Sequence, residues 1–237
     1  MVLPENKRIK RDGSKNIKIW VYGAPNIGKT TFANQFPEPL MINTDGNYKY
    51  VDAPVISLTE GDKEPWENFI EIVNELCKGQ HSFKTIVVDL MEDVYQYARN
   101  YYCNKLKIDH ESELGFAKGY DIIRNNYLIA LRKLANLPYN IVFISHEETE
   151  TVKDRIGRES TIYKTALPDK VAKKIAGMVE ITGRISCEAH QEENGDVTEK
   201  RVLQLASSKE QFGGNKIPVI KTEKVELGYD NLVKLLK

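Results

Sequence analysis

The sequence predicts an α/β fold in which a mostly parallel central sheet is flanked by helices and followed by a C-terminal β-hairpin. Short apolar runs alternate with segments of helical spacing, as in buried parallel strands joined by helices. The segments 179–189 and 200–206 alternate in hydropathy, and Asn194-Gly195 between them favours a hairpin turn. The apolar runs lie at 17–22, 40–42, 85–88 and 141–144.

The most specific motif follows the first apolar run, where the sequence reads Gly-x-x-x-x-Gly-Lys-Thr. A strand, a glycine-rich loop and a helix-like segment in this order predict a phosphate-binding P-loop. Gly23 and Gly28 let the backbone fold around a phosphate, with successive amide N–H groups directed at the anion. Lys29 is expected to reach the β- and γ-phosphates, and the Thr30 hydroxyl to bind Mg²⁺. The predicted nucleotide-binding residues are Gly23, Ala24, Pro25, Asn26, Ile27, Gly28, Lys29, Thr30 and Thr31.

The apolar run at 85–88 ends directly in an acid, Asp89. In a P-loop protein this pattern predicts the second strand of the magnesium site, so Thr30 and Asp89 are the predicted metal-binding pair. Glu92 follows shortly after, and two interpretations of it stay open. It positions the attacking water, or it is a first-turn acid that interacts with the helix dipole.

Two further polar residues follow apolar runs. Asp45 comes after 40–42, and it would lie beside the P-loop if that strand were its neighbour, because ligands gather at the carboxyl ends of parallel strands. A turn Asp before Gly46 is the alternative. His146 follows 141–144 and is a candidate for sensing the γ-phosphate, or for a hydrogen bond to a neighbouring residue.

Helical spacing predicts the connecting helices. Residues 30–36 form a short helix, Pro65 opens a second one that Gly79 caps, and 171–178 form a later one. The segment 114–137 is expected to be a long helix whose apolar stripe packs on the sheet. That stripe comprises Phe116, Tyr120, Ile123, Tyr127, Leu131 and Leu134.

Composition describes an ordinary globular protein of 237 residues, with 34 basic and 34 acidic side chains. The balanced charge gives no global attraction to nucleic acid or to acidic membranes, so any such binding requires a local patch. Three widely separated cysteines, Cys77, Cys103 and Cys187, indicate neither a disulfide framework nor a zinc site. No apolar run is long enough to span a bilayer, and the start of the chain lacks the apolar core of a signal peptide. We therefore expect a cytoplasmic protein with no membrane partner.

Local basic patches occur in two places. Residues 1–16 are predicted to be a flexible basic arm, which is either a solvated tail or a contact to nucleic acid. Residues 149–168 are polar and lack a convincing period, which predicts a long functional loop or lid. Its candidate DNA-binding residues are Lys153, Arg155, Arg158 and Lys164.

The P-loop, Asp89, His146 and the segment Ser208-Lys209-Glu210-Gln211-Phe212-Gly213 together resemble the RecA-like P-loop ATPases. In particular, the set resembles the AAA-type nucleotide-binding proteins of phages, which include single-strand annealing and recombination proteins. The resemblance covers roughly 14–217 and implies a single RecA-like P-loop ATPase domain over 17–237.

The resemblance also implies cofactors, partners and roles. ATP and Mg²⁺ would be bound, Asp45 would activate water, and His146 would contact the γ-phosphate. Residues 149–168 would line a channel for single-stranded DNA in a homo-oligomeric ring or filament. Lys209 would reach a neighbouring subunit's nucleotide, although the Asn and Arg that some members carry after this Lys are Glu210 and Gln211 here; a plain surface loop is the alternative.

The predicted function is therefore a Mg²⁺-dependent ATPase of phage DNA metabolism, acting in recombination, annealing or replication. One alternative is a P-loop kinase in which 154–158 form an arginine lid, and another is a nucleotide-gated interaction module. A GTPase is disfavoured because Asn104-Lys105-Leu106-Lys107 lacks the acid of the guanine-reading Asn-Lys-x-Asp motif.

Overall fold

The computed structural model describes residues 6, 15–153, 156–191 and 197–236 of the chain. Strands and helices alternate through the described residues, as the sequence predicts. The strands are β1 (Lys18–Gly23), β2 (Pro39–Asn43), β3 (Val55–Ser57), β4 (Thr85–Asp89), β5 (Asn140–Lys153), β6 (Glu159–Thr165), β7 (Ile181–Gln191), β8 (Val197–Gln204), β9 (Gly214–Asn215) and β10 (Lys224–Glu226). The helices are α1 (Lys29–Asn34), α2 (Pro65–Lys78), α3 (Met91–Leu106), α4 (Lys118–Ala135), α5 (Asp169–Met178) and α6 (Tyr229–Lys234).

The strand order in the sheet is β10-β8-β7-β1-β5-β4-β2-β3, and β6 and β9 pair at its margins. Neighbouring strands from β3 to β7 run parallel, whereas β7, β8 and β10 are antiparallel. This arrangement confirms the predicted α/β fold with a mostly parallel sheet and a C-terminal hairpin. It also places β5 between the P-loop strand β1 and the Asp89 strand β4.

Alternation of side chains along the central strands builds two cores, one on each face of the sheet. On one face, Trp20 and Phe143 pack with apolar residues of α2, α3, α4 and α5. On the other, Val21 and Ile144 pack with residues of α1 and α6, such as Phe32 and Leu232. All residues of β1 and β4 are buried. The sheet is therefore covered on both sides, which leaves the ends of its strands to carry polar chemistry.

Two predictions about individual elements were wrong. Residues 149–153 and 159–165 are not irregular: β5 continues past the sheet to Lys153 and pairs antiparallel with β6. The helix predicted over 114–137 begins only at Lys118, because Phe116 and Ala117 have positive φ angles. Phe116 is fully exposed, so it is not part of the buried stripe.

Other predictions fall partly outside the described residues. The arm 1–16 is described only at residues 6, 15 and 16, and the turn at 194–195 lies outside the description. Within the described part of the chain, no helix is both long and apolar enough to cross a membrane.

Lys18 at the start of β1 is expected to make the free energy of unfolding depend on pH. The residue is buried, and its Nζ donates hydrogen bonds to the carbonyl oxygens of Leu137 and Tyr139. Burial lowers the pKa of Lys18 from 10.5 to about 8, against the opposing effect of Glu180. Between these two values the unfolded chain binds more protons than the folded chain. The free energy of unfolding therefore gains a contribution that rises with pH across this window.

The variant Lys18→Met lacks this contribution. We expect the free energy of unfolding of the parent, relative to the variant, to increase between about pH 7.5 and about pH 9.5. Urea denaturation at both pH values measures it. Lys133→Met, at an exposed position of α4, is the control and should give a constant difference. A constant difference for Lys18→Met as well would contradict the assigned burial of the ammonium group.

Candidate nucleotide-binding site

The P-loop occupies the turn from β1 into α1, at the carboxyl edge of the sheet. Gly23 ends β1, and a Cβ placed there would lie 2.6 Å from the carbonyl oxygen of Ile185 in β7. Gly28 precedes α1 with a φ of +99°. Both motif glycines are therefore required by the backbone, one by close packing and the other by its left-handed conformation.

Lys29 lies inside the loop and is 6% exposed. Its Nζ donates hydrogen bonds to the carbonyl oxygens of Gly23 at 3.0 Å and Ala24 at 2.8 Å. Burial lowers the pKa of Lys29, and the nearby acids Asp89, Glu92 and Glu147 oppose this shift. The ammonium group is thus held at the mouth of the loop, where a phosphate would replace carbonyl oxygens as its partner.

Thr30 and Asp89 lie next to one another although they come from α1 and β4. The Thr30 hydroxyl donates to Asp89 Oδ2 at 2.6 Å. Asp89 is buried, and burial raises its pKa to about 6, although the hydrogen bond from Thr30 and the charge of Lys29 oppose the shift. A buried carboxylate beside a hydroxyl and a lysine is suited to a cation that accompanies a phosphate.

The residues present fit a Mg²⁺–nucleotide complex. The described residues contain no group of three or more His, Cys, Asp or Glu side chains that would hold a metal ion alone. Mg²⁺ at such sites is commonly bound by one or two protein oxygens together with phosphates and water. Thr30 and Asp89 supply that number of oxygens, and the P-loop supplies the place for the phosphates. When bound, Mg²⁺ would neutralise charge on the phosphate oxygens.

Glu92 and His146 form a partly buried pair at the same edge, with the Glu92 side chain the less exposed of the two. His146 lies opposite Gly23 in the pairing of β5 with β1, and Glu92 lies in the first turn of α3. Glu92 Oε1 accepts a hydrogen bond from the His146 backbone N–H at 2.8 Å and contacts His146 Nδ1 at 2.9 Å. Among the described residues, its other oxygen, Oε2, is buried without a hydrogen-bond partner. Burial raises the pKa of Glu92.

The structure therefore joins two residues that the sequence singled out separately. Glu92 is more than a first-turn acid, since its carboxylate faces His146 and its charge acts on both Lys29 and Asp89. Burial favours uptake of a proton by this carboxylate, which is the property of a general base.

Asp45 follows β2, the strand next to that of Asp89, and its charge contributes to the raised pKa of Asp89. The condition for placing it beside the P-loop is not met, because β2 is separated from β1 by β4 and β5. Asp45 is exposed, and its carboxylate accepts hydrogen bonds from Asn43 and Asn47, as in the alternative of a turn Asp. Burial of the carboxylate raises its pKa, and these hydrogen bonds outweigh that effect, so the pKa lies below its ordinary value. A role for Asp45 in activating water stays a prediction.

The family model described as an AAA domain matches residues 15–217. The chain belongs to the AAA domain family. An AAA domain is a P-loop ATPase, so nucleotide binding and hydrolysis follow from this membership.

A search of curated proteins finds similarity to the SPbeta prophage-derived uncharacterized protein YorG of Bacillus subtilis (strain 168). The two are 21% identical over 234 residues, which cover 92% of this chain and 65% of the relative. The chain thus spans just under two thirds of that protein's length. Among solved structures, the flagellar accessory protein FlaH of Methanocaldococcus jannaschii matches 90% of this chain and 84% of its own, with 10% identity and a TM-score of 0.47.

A second charged cluster in this AAA domain was missed by sequence reasoning. Arg184 of β7 forms an ion pair with Glu147 at 2.8 Å, and both side chains are largely buried. The guanidinium carbon lies 3.5 Å from the ring centre of Tyr163 in β6. The cluster lines a cavity of about 380 Å³ together with Ala24 and Ile27 of the P-loop. It therefore joins the base of the β5–β6 hairpin to the outer side of the P-loop.

Lys209 does not contact the P-loop of its own chain. It is exposed and lines a cavity of about 350 Å³ beside α5, together with Lys164 and Asp169. The following residues are fixed to β6, because the Tyr163 N–H donates to the carbonyl of Glu210 at 2.7 Å. A role for Lys209 within its own subunit has no support in this position, whereas a role towards a neighbouring subunit stays a prediction.

The predicted DNA-binding residues lie on the β5–β6 hairpin, except that Arg155 is outside the described residues. Lys153 pairs with Glu159 at 2.9 Å, and Lys164 pairs with Glu150 at 2.9 Å. Arg158 is exposed near the hairpin tip. Lys153 and Lys164 are thus engaged with acids across the hairpin.

Proposed function

We propose that this protein is a Mg²⁺-dependent ATPase of phage DNA metabolism that binds single-stranded DNA and acts in recombination, annealing or replication. The observation that carries the proposal is the convergence of Lys29, Thr30, Asp89, Glu92 and His146 at one edge of the sheet. Together they supply a phosphate-binding cation, two oxygens for Mg²⁺ and a largely buried carboxylate within reach of a neighbouring histidine. These are the parts that phosphoryl transfer to water requires.

Each of these residues has a separate role in the proposed mechanism. Lys29 binds the β- and γ-phosphates, and the backbone of the P-loop positions them. Thr30 and Asp89 would hold Mg²⁺, which would supply charge neutralisation at the phosphate oxygens. Glu92 accepts the proton of the attacking water. His146 holds Oε1 of that carboxylate, and Oε2 has no hydrogen-bond partner among the described residues. His146 also couples the site to the β5–β6 hairpin, because Glu147 follows it directly and pairs with β6.

Support for a role with DNA comes from the similarity to a prophage protein and from the position of the hairpin. Nucleotide state at the P-loop can reach the hairpin through His146 and through the Arg184–Glu147 pair. The engaged lysines Lys153 and Lys164 would exchange their carboxylate partners for DNA phosphates, which is favourable at low salt. We infer that ATP binding changes the affinity of the hairpin for single-stranded DNA.

The test is ATP hydrolysis measured with and without a single-stranded oligonucleotide at about 50 mM salt, where phosphate contacts are strong. We expect DNA to increase the rate, and the double variant Lys153→Ala/Lys164→Ala to lose most of the increase. Lys78→Ala is the matched control, because Lys78 is also an exposed lysine paired with an acid, on α2. The DNA role would be refuted if the protein neither binds the oligonucleotide nor hydrolyses ATP faster in its presence. Phosphate appearing on a nucleoside monophosphate instead of in water would favour a kinase.

We further propose that the active form is a homo-oligomer, a ring or filament, in which Lys209 acts on the nucleotide of the neighbouring subunit. A cation placed next to the γ-phosphate stabilises the charge of the transition state. In the isolated chain Lys209 points to a cavity beside α5 and not to its own P-loop, as expected for a residue that acts between subunits.

Mixing of two inactive variants tests this arrangement. Lys29→Ala lacks a working P-loop but retains Lys209, and Lys209→Ala has the reverse defect. If Lys209 acts between subunits, a mixture of the two is expected to hydrolyse ATP faster than the sum of the separate variants. Hydrolysis no faster than that sum, in a mixture that sedimentation shows to contain mixed oligomers, would exclude the role.

A further inference from the structure

Arg201 of β8 lies against the P-loop, although it is distant from it in the sequence. A Cβ placed on Gly28 would lie 3.1 Å from Arg201 Nη1, 3.7 Å from Cζ and 3.8 Å from Cδ. The guanidinium group is therefore in contact with the glycine that immediately precedes Lys29. No motif in the sequence marks Arg201, and its position becomes apparent only when the hairpin is folded beside β1.

The backbone around Arg201 is fixed by the sheet. Strand β7 pairs with the P-loop strand, with Ile185 opposite Gly23. Strand β8 in turn pairs with β7, with Arg201 opposite Cys187. The Arg201 carbonyl oxygen also accepts a hydrogen bond from the Leu227 N–H at 2.8 Å. Two strand pairings thus link Arg201 to the loop, so its side chain extends to the P-loop from a rigid strand.

The donors of this guanidinium are available for a ligand. Within residues 6, 15–153, 156–191 and 197–236, the Arg201 side chain forms neither a hydrogen bond nor an ion pair. The cluster of Arg184 differs in this respect, since that guanidinium is occupied by Glu147 and Tyr163. An arginine that has no partner among the described residues lies beside the predicted phosphate-binding loop, and its planar set of donors suits phosphate oxygens.

We propose that Arg201 is a nucleotide-binding residue that donates hydrogen bonds to phosphate oxygens of the bound nucleotide from the Gly28 side of the P-loop. Lys29 approaches from inside the loop, where it is tied to the carbonyl oxygens of Gly23 and Ala24. The two cations would hold the phosphate chain between them, and both belong to the same subunit. The inference rests on the proposed function, because it assigns a further contact in the same nucleotide site.

The experiment measures the affinity for a fluorescent ATP analogue, and the concentration of inorganic tripolyphosphate that displaces it, in the full-length chain. A hydrogen bond to a charged partner corresponds to about a 10- to 100-fold change in affinity. We expect Arg201→Ala to lower the affinity for both ATP and tripolyphosphate by a factor in that range. Arg201→Lys keeps the charge but loses the planar donor pair, so it should lie between the parent and Arg201→Ala. Arg132→Ala, at an exposed arginine of α4, is the control and should bind both as the parent does.

The outcomes distinguish failure of the Arg201 inference from failure of the proposed ATPase function. If the parent binds nucleotide and Arg201→Ala binds it equally well, the inference is wrong and the proposed function stands. If Arg201→Ala lowers the affinity for ATP but not for tripolyphosphate, the proposed phosphate contact is wrong, because the arginine then acts on the base or the sugar. If the parent itself binds no nucleotide, both fail. Thermal unfolding of each variant verifies folding, and Arg201→Lys carries the comparison if Arg201→Ala does not fold.

Discussion

Replacement of Lys29 by alanine is expected to abolish ATP binding and, with it, hydrolysis. The Lys29 ammonium group is buried at the mouth of the P-loop, and the fold has already removed much of its hydration. A charge-assisted contact to phosphate in such a place is worth roughly 1.5–3 kcal/mol for each hydrogen bond. Loss of two such contacts lowers affinity by at least about 100-fold. Titration with a fluorescent ATP analogue measures the loss directly.

The same substitution also removes the hydrogen bonds from Nζ to the carbonyl oxygens of Gly23 and Ala24. Some loss of stability is therefore expected, and thermal unfolding has to accompany the binding measurement. Lys29→Met separates the two effects, because it keeps most of the aliphatic chain while it removes the charge. Lys133→Ala, at an exposed lysine of α4, should bind ATP as the parent does. Normal affinity in a folded Lys29→Met variant would show that the phosphates bind somewhere else.

Local sequence patterns predicted the parts of the site that depend on neighbouring residues. The P-loop needs glycines at fixed spacing within one turn, and the structure places Gly23 and Gly28 where a side chain would clash or would strain the backbone. Asp89 follows a run of strand-forming residues, and the pairing of β4 with β5 brings it to the same edge of the sheet. Periodicity and turn chemistry are properties of short segments, which explains why they can be read without a structure.

The β5–β6 hairpin was not predicted from the sequence, because its residues are rich in charge. Residues 147–153 contain three glutamates and a lysine, so the segment resembles a polar loop more than a strand. In the structure, cross-strand pairs such as Lys164 with Glu150 accommodate these charges in an antiparallel hairpin. The information lies in the pairing of two segments, because neither segment alone has an apolar face.

Contacts between distant segments were also beyond sequence reasoning. The order of the strands decides that Asp45 lies away from β1 and that His146 lies opposite Gly23. No local pattern specifies that order. The contact of Arg201 with Gly28 likewise requires two successive strand pairings. The sequence therefore identified the phosphate-binding loop, whereas the residues that surround it from other strands required the fold.

Glu92→Gln is expected to slow ATP hydrolysis strongly while it leaves ATP affinity nearly unchanged. The amide has the shape of the carboxylate, and its oxygen can still accept the hydrogen bond from the His146 N–H. It cannot take a proton from water. General bases contribute about 100- to 10,000-fold to a rate, so we expect kcat to fall by at least about 100-fold. Single-turnover hydrolysis and equilibrium binding, measured on the same preparation, separate the two effects.

Two control variants decide between Glu92 and the other acids near the site. Asp93→Asn alters the same turn of α3, but the Asp93 carboxylate accepts a hydrogen bond from the Thr44 hydroxyl at 2.6 Å, so hydrolysis should be little changed. Asp45→Asn removes the acid that the sequence placed in the water-activating role. If Asp45→Asn lowers kcat and Glu92→Gln does not, the base is Asp45, which follows the strand next to that of Asp89. The opposite result assigns the base to Glu92, whose buried carboxylate already acts electrostatically on Lys29 and Asp89.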